Sequence, residues 1–120
     1  MVFTRLHHMQ IAMPRGAEPQ ARAFYVDVLG MTEVPKPEPM RAGGGAWFRA
    51  GGVELHLGAD ENFVPNRKGH PGILVDDLDD IIAHLTRADW PLRDDDRFPG
   101  YRRIYVDDPF ENRLEFLQEL

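Results

Sequence analysis

Apolar residues near the N-terminus recur with the period of a helix. In AEPQARAFYVDVLGM, residues 17–31, the apolar side chains spaced three, four, seven and eight residues apart are Ala21, Phe24, Tyr25, Val28 and Leu29. This spacing puts them on one face of a helix. Pro19 suits a first helical turn, and Gly30 suits the position just past the end, where φ is positive. The pattern predicts a first helix over residues 18–29.

The next apolar stretch predicts a hairpin. GAWFRAGGVELHLGAD, residues 45–60, reads as strands over 46–50 and 53–58 that are joined by a two-residue Gly51–Gly52 turn. Residues 32–45, which hold three prolines and three glycines, read as a short strand followed by a loop. Residues 59–69 read as a polar loop.

The second half of the chain again begins with a strand and a helix. In HPGILVDDLDDIIAHLTRADWPL, residues 70–92, a strand precedes a helix whose apolar face carries Leu78, Ile81, Ile82 and Leu85. Asp77 is a suitable N-cap for that helix. RDDDRFPG, residues 93–100, reads as a turn, and two further strands are predicted at 101–106 and 112–118.

The two halves have the same order of elements. Residues 5–58 and 68–118 each read as a strand, a helix and about three strands. A histidine in the first strand precedes a glutamate in the last strand by 46 residues (His8 to Glu54) and by 45 residues (His70 to Glu115). We predict an α+β fold in which two βαβββ modules form one curved mixed sheet with helices on the outer face.

Composition and charge limit the classes of partner that the protein could bind. The chain has 120 residues, of which 42% are hydrophobic and 28% charged, and these values are ordinary for a globular protein. It contains no cysteine, which fits a cytoplasmic protein and excludes thiolate chemistry. The net charge is −6 with no basic stripe, and no apolar run is long enough to cross a bilayer. We therefore expect a small-molecule partner and neither nucleic acid nor membrane.

Strand alternation selects the side chains that face a cavity. His8 shares its strand face with Gln10 and Ala12, whereas His7 lies on the apolar face. Glu54 and His56 share one face of their strand. On the last strand, packing Leu114 and Phe116 against a helix turns Glu115 into the cavity, where a carboxylate must be paired or bound to a cation. Imidazole and carboxylate suit Zn, Ni, Co, Mn or Fe.

Several motifs resemble those of the vicinal oxygen chelate superfamily, which includes glyoxalase I, bleomycin-resistance proteins and extradiol dioxygenases. The matching pieces are His8, AFYVDVLGM, His70, LVDDLDD and DPFENRLEFLQ, and together they cover nearly the whole chain. The resemblance implies a single glyoxalase-like domain over residues 1–120. Glu111 and Asp89 stand where the family usually has glycine, at positions that suggest a positive φ.

The resemblance also implies a metal site. Its ligands would be His8, His70 and Glu115, with Glu54 as the fourth and His56 as a competitor for that place. Glu54 and His56 lie about 7 Å apart along one strand face, so one ion should not bind both. Without a fourth ligand, two histidines and one carboxylate make a set that suits Fe(II).

Two functions from different classes follow from this resemblance. The first is a metal-dependent lyase or isomerase of glyoxalase type, in which Glu54 and Glu115 are the catalytic candidates for moving a proton. A dioxygenase is less favoured, because extradiol dioxygenases are commonly about twice as long. The alternative is a metal-free drug-binding protein of bleomycin-resistance type. Either would be a homodimer, and the sequence leaves open whether the ligands come from one chain or two.

Overall fold

A computed structural model describes all 120 residues and contains both predicted modules. The elements of the first module are β1 (Met9–Pro14), α1 (Glu18–Arg22), a π-helix (Ala23–Val28), β2 (Thr32–Val34), a 3₁₀ helix (Glu38–Gly43), β3 (Ala46–Ala50) and β4 (Val53–Asp60). Those of the second module are β5 (Gly72–Leu74), α2 (Leu78–Arg87), β6 (Arg93–Asp95), β7 (Tyr101–Asp107) and β8 (Arg113–Glu119). No helix is long and apolar enough to cross a membrane.

Each module forms its own four-stranded mixed sheet. The strand orders are β1-β4-β3-β2 and β5-β8-β7-β6, with β1 parallel to β4 and β5 parallel to β8. The predicted α+β fold of two βαβββ modules is confirmed. Within the chain the modules are not joined into one hydrogen-bonded sheet, and β1 and β5 each lie at a sheet edge.

The predicted strand faces agree with the burial of the side chains. Ile11 and Met13 of β1 are buried, as are Leu114 and Phe116 of β8. On β3, Phe48 packs in the core, which leaves Trp47 on the opposite face of the strand. The sequence had left the orientation of this pair open.

The first helical segment changes its type halfway. The predicted helix over 18–29 is α-helical only to Arg22, and Ala23–Val28 is a π-helix. The Leu29 N–H donates to the carbonyl of Phe24, five residues earlier, which is the π-helical spacing. Gly30 follows with φ 78°, as predicted for the residue past the helix end.

Two loop predictions are corrected by backbone pairing. Residues 93–100 were predicted to be a turn, but Arg93–Asp95 is a strand that pairs antiparallel with β7. This strand could not be predicted from the sequence pattern, because a polar strand at a sheet edge has no alternation of apolar residues. The loop predicted after the short strand in residues 32–45 contains a 3₁₀ helix at Glu38–Gly43.

The two residues that stand where the family usually has glycine both have the expected positive φ. Asp89, just after α2, has φ 55°, and Glu111, in the turn before β8, has φ 68°. Asp77 caps α2 by accepting from the backbone N–H groups of Asp79 and Asp80, as predicted.

A buried polar network joins the modules. The Tyr25 hydroxyl donates to Asp108 Oδ2 at 2.7 Å, and Asn112 Nδ2 donates to the carbonyl of Ala12 at 2.8 Å. These bonds tie the first helical segment and β1 to the turn between β7 and β8. They fix the relative position of the two sheets and of the groove between them.

Candidate metal centre

The predicted ligands border one groove between the modules. This central groove, of about 350 Å³, lies between residues 6–9, 52–55 and 70–74. His8 and Glu54 line it from the first module, and His70 lines it from the second. Glu115 lies beside His70, with Oε1 2.7 Å from the imidazole Nε2.

Both ring nitrogens of His70 have polar partners. His70 Nδ1 lies 3.0 Å from the carbonyl oxygen of Lys68, which can only accept, so Nδ1 carries a proton. Nε2 points at Glu115 Oε1 at 2.7 Å, which is a hydrogen-bond distance, so the two atoms that would bind a metal ion lie side by side. Metal-binding histidines commonly donate their other ring N–H to a carbonyl in this way.

Arg103 neutralises the second oxygen of Glu115. Its Nη1 donates to Glu115 Oε2 at 3.0 Å, and its Nη2 pairs with Asp95 at 2.9 Å. Glu115 is 7% exposed, so these partners offset the cost of its burial. The sequence did not decide between Arg102 and Arg103, and the structure places Arg103 at the site while Arg102 pairs with Asp79.

Glu54 is held on the first sheet by two donors. Arg49 Nη2 lies 2.7 Å from Oε1, and His56 Nε2 lies 2.7 Å from Oε2. The hydrogen bond from His56 and that from Arg49 lower the pKa of Glu54 to about 2. Met9 pairs with Leu55, so His8 stands next to Glu54 one residue before the pairing begins.

His56 is stacked between two rings. Its imidazole lies 3.9 Å from the Trp47 ring and 4.0 Å from the His8 ring, and the residue is 3% exposed. Burial lowers the pKa of His56, which favours the neutral imidazole. Because its Nε2 is directed at Glu54, His56 does not line the groove itself. It supports Glu54, which does.

The chain brings the predicted ligands together as pairs. Glu54 contacts His56, which stacks on His8, and Glu115 contacts His70. No three His, Asp or Glu side chains of the chain converge on a point that could hold a metal ion. His7, which strand alternation had directed away from the cavity, also lines the groove, and its Nδ1 lies 2.9 Å from His8 Nδ1. The prediction is wrong because β1 begins at Met9, so the alternation of a strand does not apply to the two histidines before it.

Sequence reasoning overlooked the neighbours on β3. Arg49 lies opposite Glu54 and Trp47 lies opposite His56 in the antiparallel β3–β4 pair. The Gly51–Gly52 turn defines this register, so counting outward from the turn would have identified both residues. Tyr105 and Arg103 lie on β7 beside Glu115 of β8. Identifying them as neighbours of the site requires the β7–β8 register, which the sequence does not show.

An apolar pocket adjoins the central groove. It is lined by eleven hydrophobic residues, among them Val53, Leu55, Ile73 and Leu74, which also line the groove. Leu74, on the edge strand β5, is 56% exposed. A free sheet edge with exposed apolar side chains is the kind of surface that a second chain covers.

Comparisons with known proteins agree with this architecture. Residues 5–116 match the model described as the Glyoxalase/Bleomycin resistance protein/Dioxygenase superfamily. The chain is 39% identical to a Bacillus anthracis protein assigned to the glyoxalase family, with a TM-score of 0.96 over 100% of this chain and 98% of that chain. None of the curated proteins matches the sequence.

Two more distant structures share the fold. A lactoylglutathione lyase from Agrobacterium tumefaciens is 26% identical, with a TM-score of 0.68 over 92% of this chain and 91% of that chain. A fosfomycin resistance protein from Listeria monocytogenes, in complex with Mn(II) and 1S,2S-dihydroxypropylphosphonic acid, is 13% identical. Its TM-score is 0.76 over 99% of this chain and 95% of that chain, and at this identity the likeness concerns the fold alone.

Proposed function

Because this chain belongs to the glyoxalase/bleomycin resistance protein/dioxygenase superfamily, we propose that it is a metal-dependent lyase or isomerase of glyoxalase type. The observation that carries the proposal is the His70–Glu115 pair, in which Nε2 faces a carboxylate while Nδ1 is bound to the Lys68 carbonyl. The pair borders a groove that His8 and Glu54 also line. Its substrate would be a small oxygenated molecule.

We further propose that the site is completed by a second copy of the chain. His8 and Glu54 would come from one protomer, and His70 and Glu115 from its partner. The free edges of β1 and β5 and the exposed Leu74 beside the groove support a symmetric pairing of two chains. Such a pairing would give the homodimer two equivalent sites.

The residues present fit a divalent transition metal. Two imidazoles and two carboxylates are suitable donors for Zn, Ni, Co, Mn or Fe. When bound, such an ion acts as a Lewis acid on substrate oxygens. His56 and Arg49 hold Glu54 ionised, and Arg103 donates a hydrogen bond to Glu115 Oε2.

Glu54 takes up a proton poorly. The pKa of about 2 suits Glu54 to holding a cation, because a weak base accepts a proton poorly. Glu54 could accept a proton only after losing the contact to His56 or Arg49. Glu115, whose Oε1 lies 2.7 Å from His70 Nε2, is the better placed of the two catalytic candidates.

Metal content tests the proposal. Purified protein should hold about one transition-metal ion per site, and His8→Ala or Glu115→Ala should each remove most of it. Elemental analysis after gel filtration provides the measurement, with His84→Ala, on α2 outside the groove, as the matched control that should retain the metal. Equal, metal-free yields of all four proteins would contradict a metalloenzyme.

Mixing the variants tests whether two chains share the site. If His8 and Glu115 of one site come from different protomers, a refolded one-to-one mixture of His8→Ala and Glu115→Ala contains mixed dimers with one intact site. Random pairing then restores about a quarter of the wild-type metal content. If both ligands come from one chain, the mixture stays metal-free.

A binding protein of bleomycin-resistance type is the second candidate. The pocket of eleven hydrophobic residues next to the groove is the observation that favours it, since apolar lining suits sequestration of a small organic molecule. Under this proposal the protein binds an apolar ligand equally well with and without metal. Titration of a fluorescent apolar probe before and after chelation measures this difference.

A further inference from the structure

An arginine without a counter-charge lies beside the His70–Glu115 pair. Arg113 precedes Glu115 by two residues on β8, so both side chains lie on the same face of the sheet. Arg113 is half-buried, and its Nε is buried with no hydrogen-bond partner. Buried donors in native proteins nearly always have an acceptor, so this N–H indicates a missing one.

The nearby carboxylates are already occupied. Glu115 is bound to His70 and Arg103. Asp107, which faces Arg113 across the β7–β8 pair, is bound by both terminal nitrogens of Arg93 at 3.0 and 3.1 Å. No carboxylate of the chain forms an ion pair with Arg113, and its charge is therefore available to an external anion.

Tyr105 positions Arg113 relative to the site. The Arg113 Cζ lies 5.3 Å from the centre of the Tyr105 ring, and the Arg103 Cζ lies 5.1 Å from it. The His70 ring packs edge-on against the same ring at 5.7 Å. One aromatic ring therefore holds two guanidinium groups and the ligand histidine in a fixed arrangement.

The two guanidinium groups have different tasks. Arg103 is neutralised by Asp95 and Glu115, so it stabilises the site and has little charge to offer a ligand. Arg113 has only the face of Tyr105 as a partner, so its terminal N–H₂ groups form no hydrogen bond within the chain. A planar guanidinium with free N–H groups is suited to binding carboxylate or phosphonate oxygens.

We propose that Arg113 binds an oxyanion, carboxylate or phosphonate, of the substrate. This inference rests on the proposed function for the role of the neighbouring pair, and it deepens that function by naming the substrate class as small anionic compounds. Binding of the anion to Arg113 needs no metal, so it is measurable on the metal-free protein.

Heteronuclear NMR of arginine Nε–H groups tests the proposal. The probes are glycolate and hydroxymethylphosphonate, with the neutral glycolamide as the matched compound. Both anions, or one of them, should shift the Arg113 Nε–H signal to saturation, whereas glycolamide should not. Comparing the two anions shows whether the subsite prefers a carboxylate or a phosphonate.

Variants connect the affinity with the side chain. Arg113→Gln should weaken anion binding by about tenfold or more, as expected on losing a charge-assisted contact, and Arg113→Lys should recover part of it. Arg102→Gln is the control, because Arg102 lies on the opposite face of β7 and pairs with Asp79. Unchanged backbone spectra of the variants would show that they are folded.

Three outcomes would overturn the inference. They are an Arg113 signal that no anion moves, an Arg113→Gln variant that binds as tightly as wild type, and a signal that depends on protein concentration alone. The last would show that a carboxylate of a second copy is the acceptor. A failed metal experiment together with a positive anion titration would remove the proposed enzyme and retain the anion site.

Discussion

Glu54 shows how neighbours decide what a carboxylate can do. One oxygen accepts from Arg49 and the other from His56, so both are engaged before any ligand arrives. The sequence placed Glu54 and His56 on one strand face and treated them as competitors. In the structure they are partners, because side chains two residues apart on a strand can reach each other when one of them is long.

Removing Arg49 should weaken the acidity of Glu54. Arg49→Ala is expected to raise the pKa of Glu54 from about 2 towards its ordinary value of 4.5, because one of its two donors is lost. The pairing contributes stability above pH 4.5 that is lost as the pH falls towards 2, since the folded-state pKa is the lower one. Carboxyl NMR titration measures this, with Arg67→Ala as a control that should leave Glu54 unchanged.

The roles of Glu54 and His56 are separable by affinity. If Glu54 binds the metal and His56 positions it, Glu54→Gln should weaken metal binding more than His56→Gln, whose loss should be about tenfold. Competition with a coloured chelator measures both affinities, and His84→Gln, on α2 outside the groove, should match wild type. A larger loss in His56→Gln would exchange the two roles, and no loss in either variant would indicate three-residue coordination.

The β3–β4 hairpin is the element that assembles one wall of the site. Its two-glycine turn, with Gly51 at φ 54°, sets an antiparallel register that brings Arg49 opposite Glu54 and Trp47 opposite His56. This register could be read from the sequence, because the turn is marked by its glycines. The β6–β7 pair could not, since Arg93–Asp95 carries only charged side chains.

The turn before β8 holds a residue in a costly conformation. Glu111 has φ 68°, which glycine adopts without a Cβ penalty, so Glu111→Gly should stabilise the fold by about 0.5–1 kcal/mol. Glu111→Ala is the matched control, because it removes the same exposed ion pair to Arg67 but keeps the Cβ. Urea denaturation measures both, and equal stabilities of the two variants would refute the conformational cause.

At the scale of the whole molecule, a buried carboxylate holds the modules together. Asp108 Oδ1 accepts from the N–H groups of Phe110 and Asn112, and Oδ2 accepts from the Tyr25 hydroxyl and Asn112 Nδ2. Burial raises the pKa of Asp108, so these four donors are what keep a charge tolerable there.

Replacing that carboxylate by an amide should destabilise the protein. In Asp108→Asn an amide N–H₂ group replaces one carboxylate oxygen. If it replaces Oδ2, it faces the Asn112 side-chain N–H₂, and two donors then meet without an acceptor. A loss of about 1–3 kcal/mol is expected from the unmatched buried group. Asp107→Asn, which affects only a half-exposed ion pair, should cost less in the same urea titration. Equal losses would contradict the network.

The sequence by itself determined the local elements and the faces of the strands. Periodicity and capping depend on neighbours within a few residues, so the helix cap at Asp77 and the buried faces of β1 and β8 could be predicted, whereas the positive φ at Glu111 was expected from the resemblance to a family with glycine there. Only the tertiary structure decided which side chains meet. Contacts such as Arg103 to Glu115 or His8 to His56 depend on which strands are neighbours in a sheet and on the register between them, and a periodic pattern encodes neither.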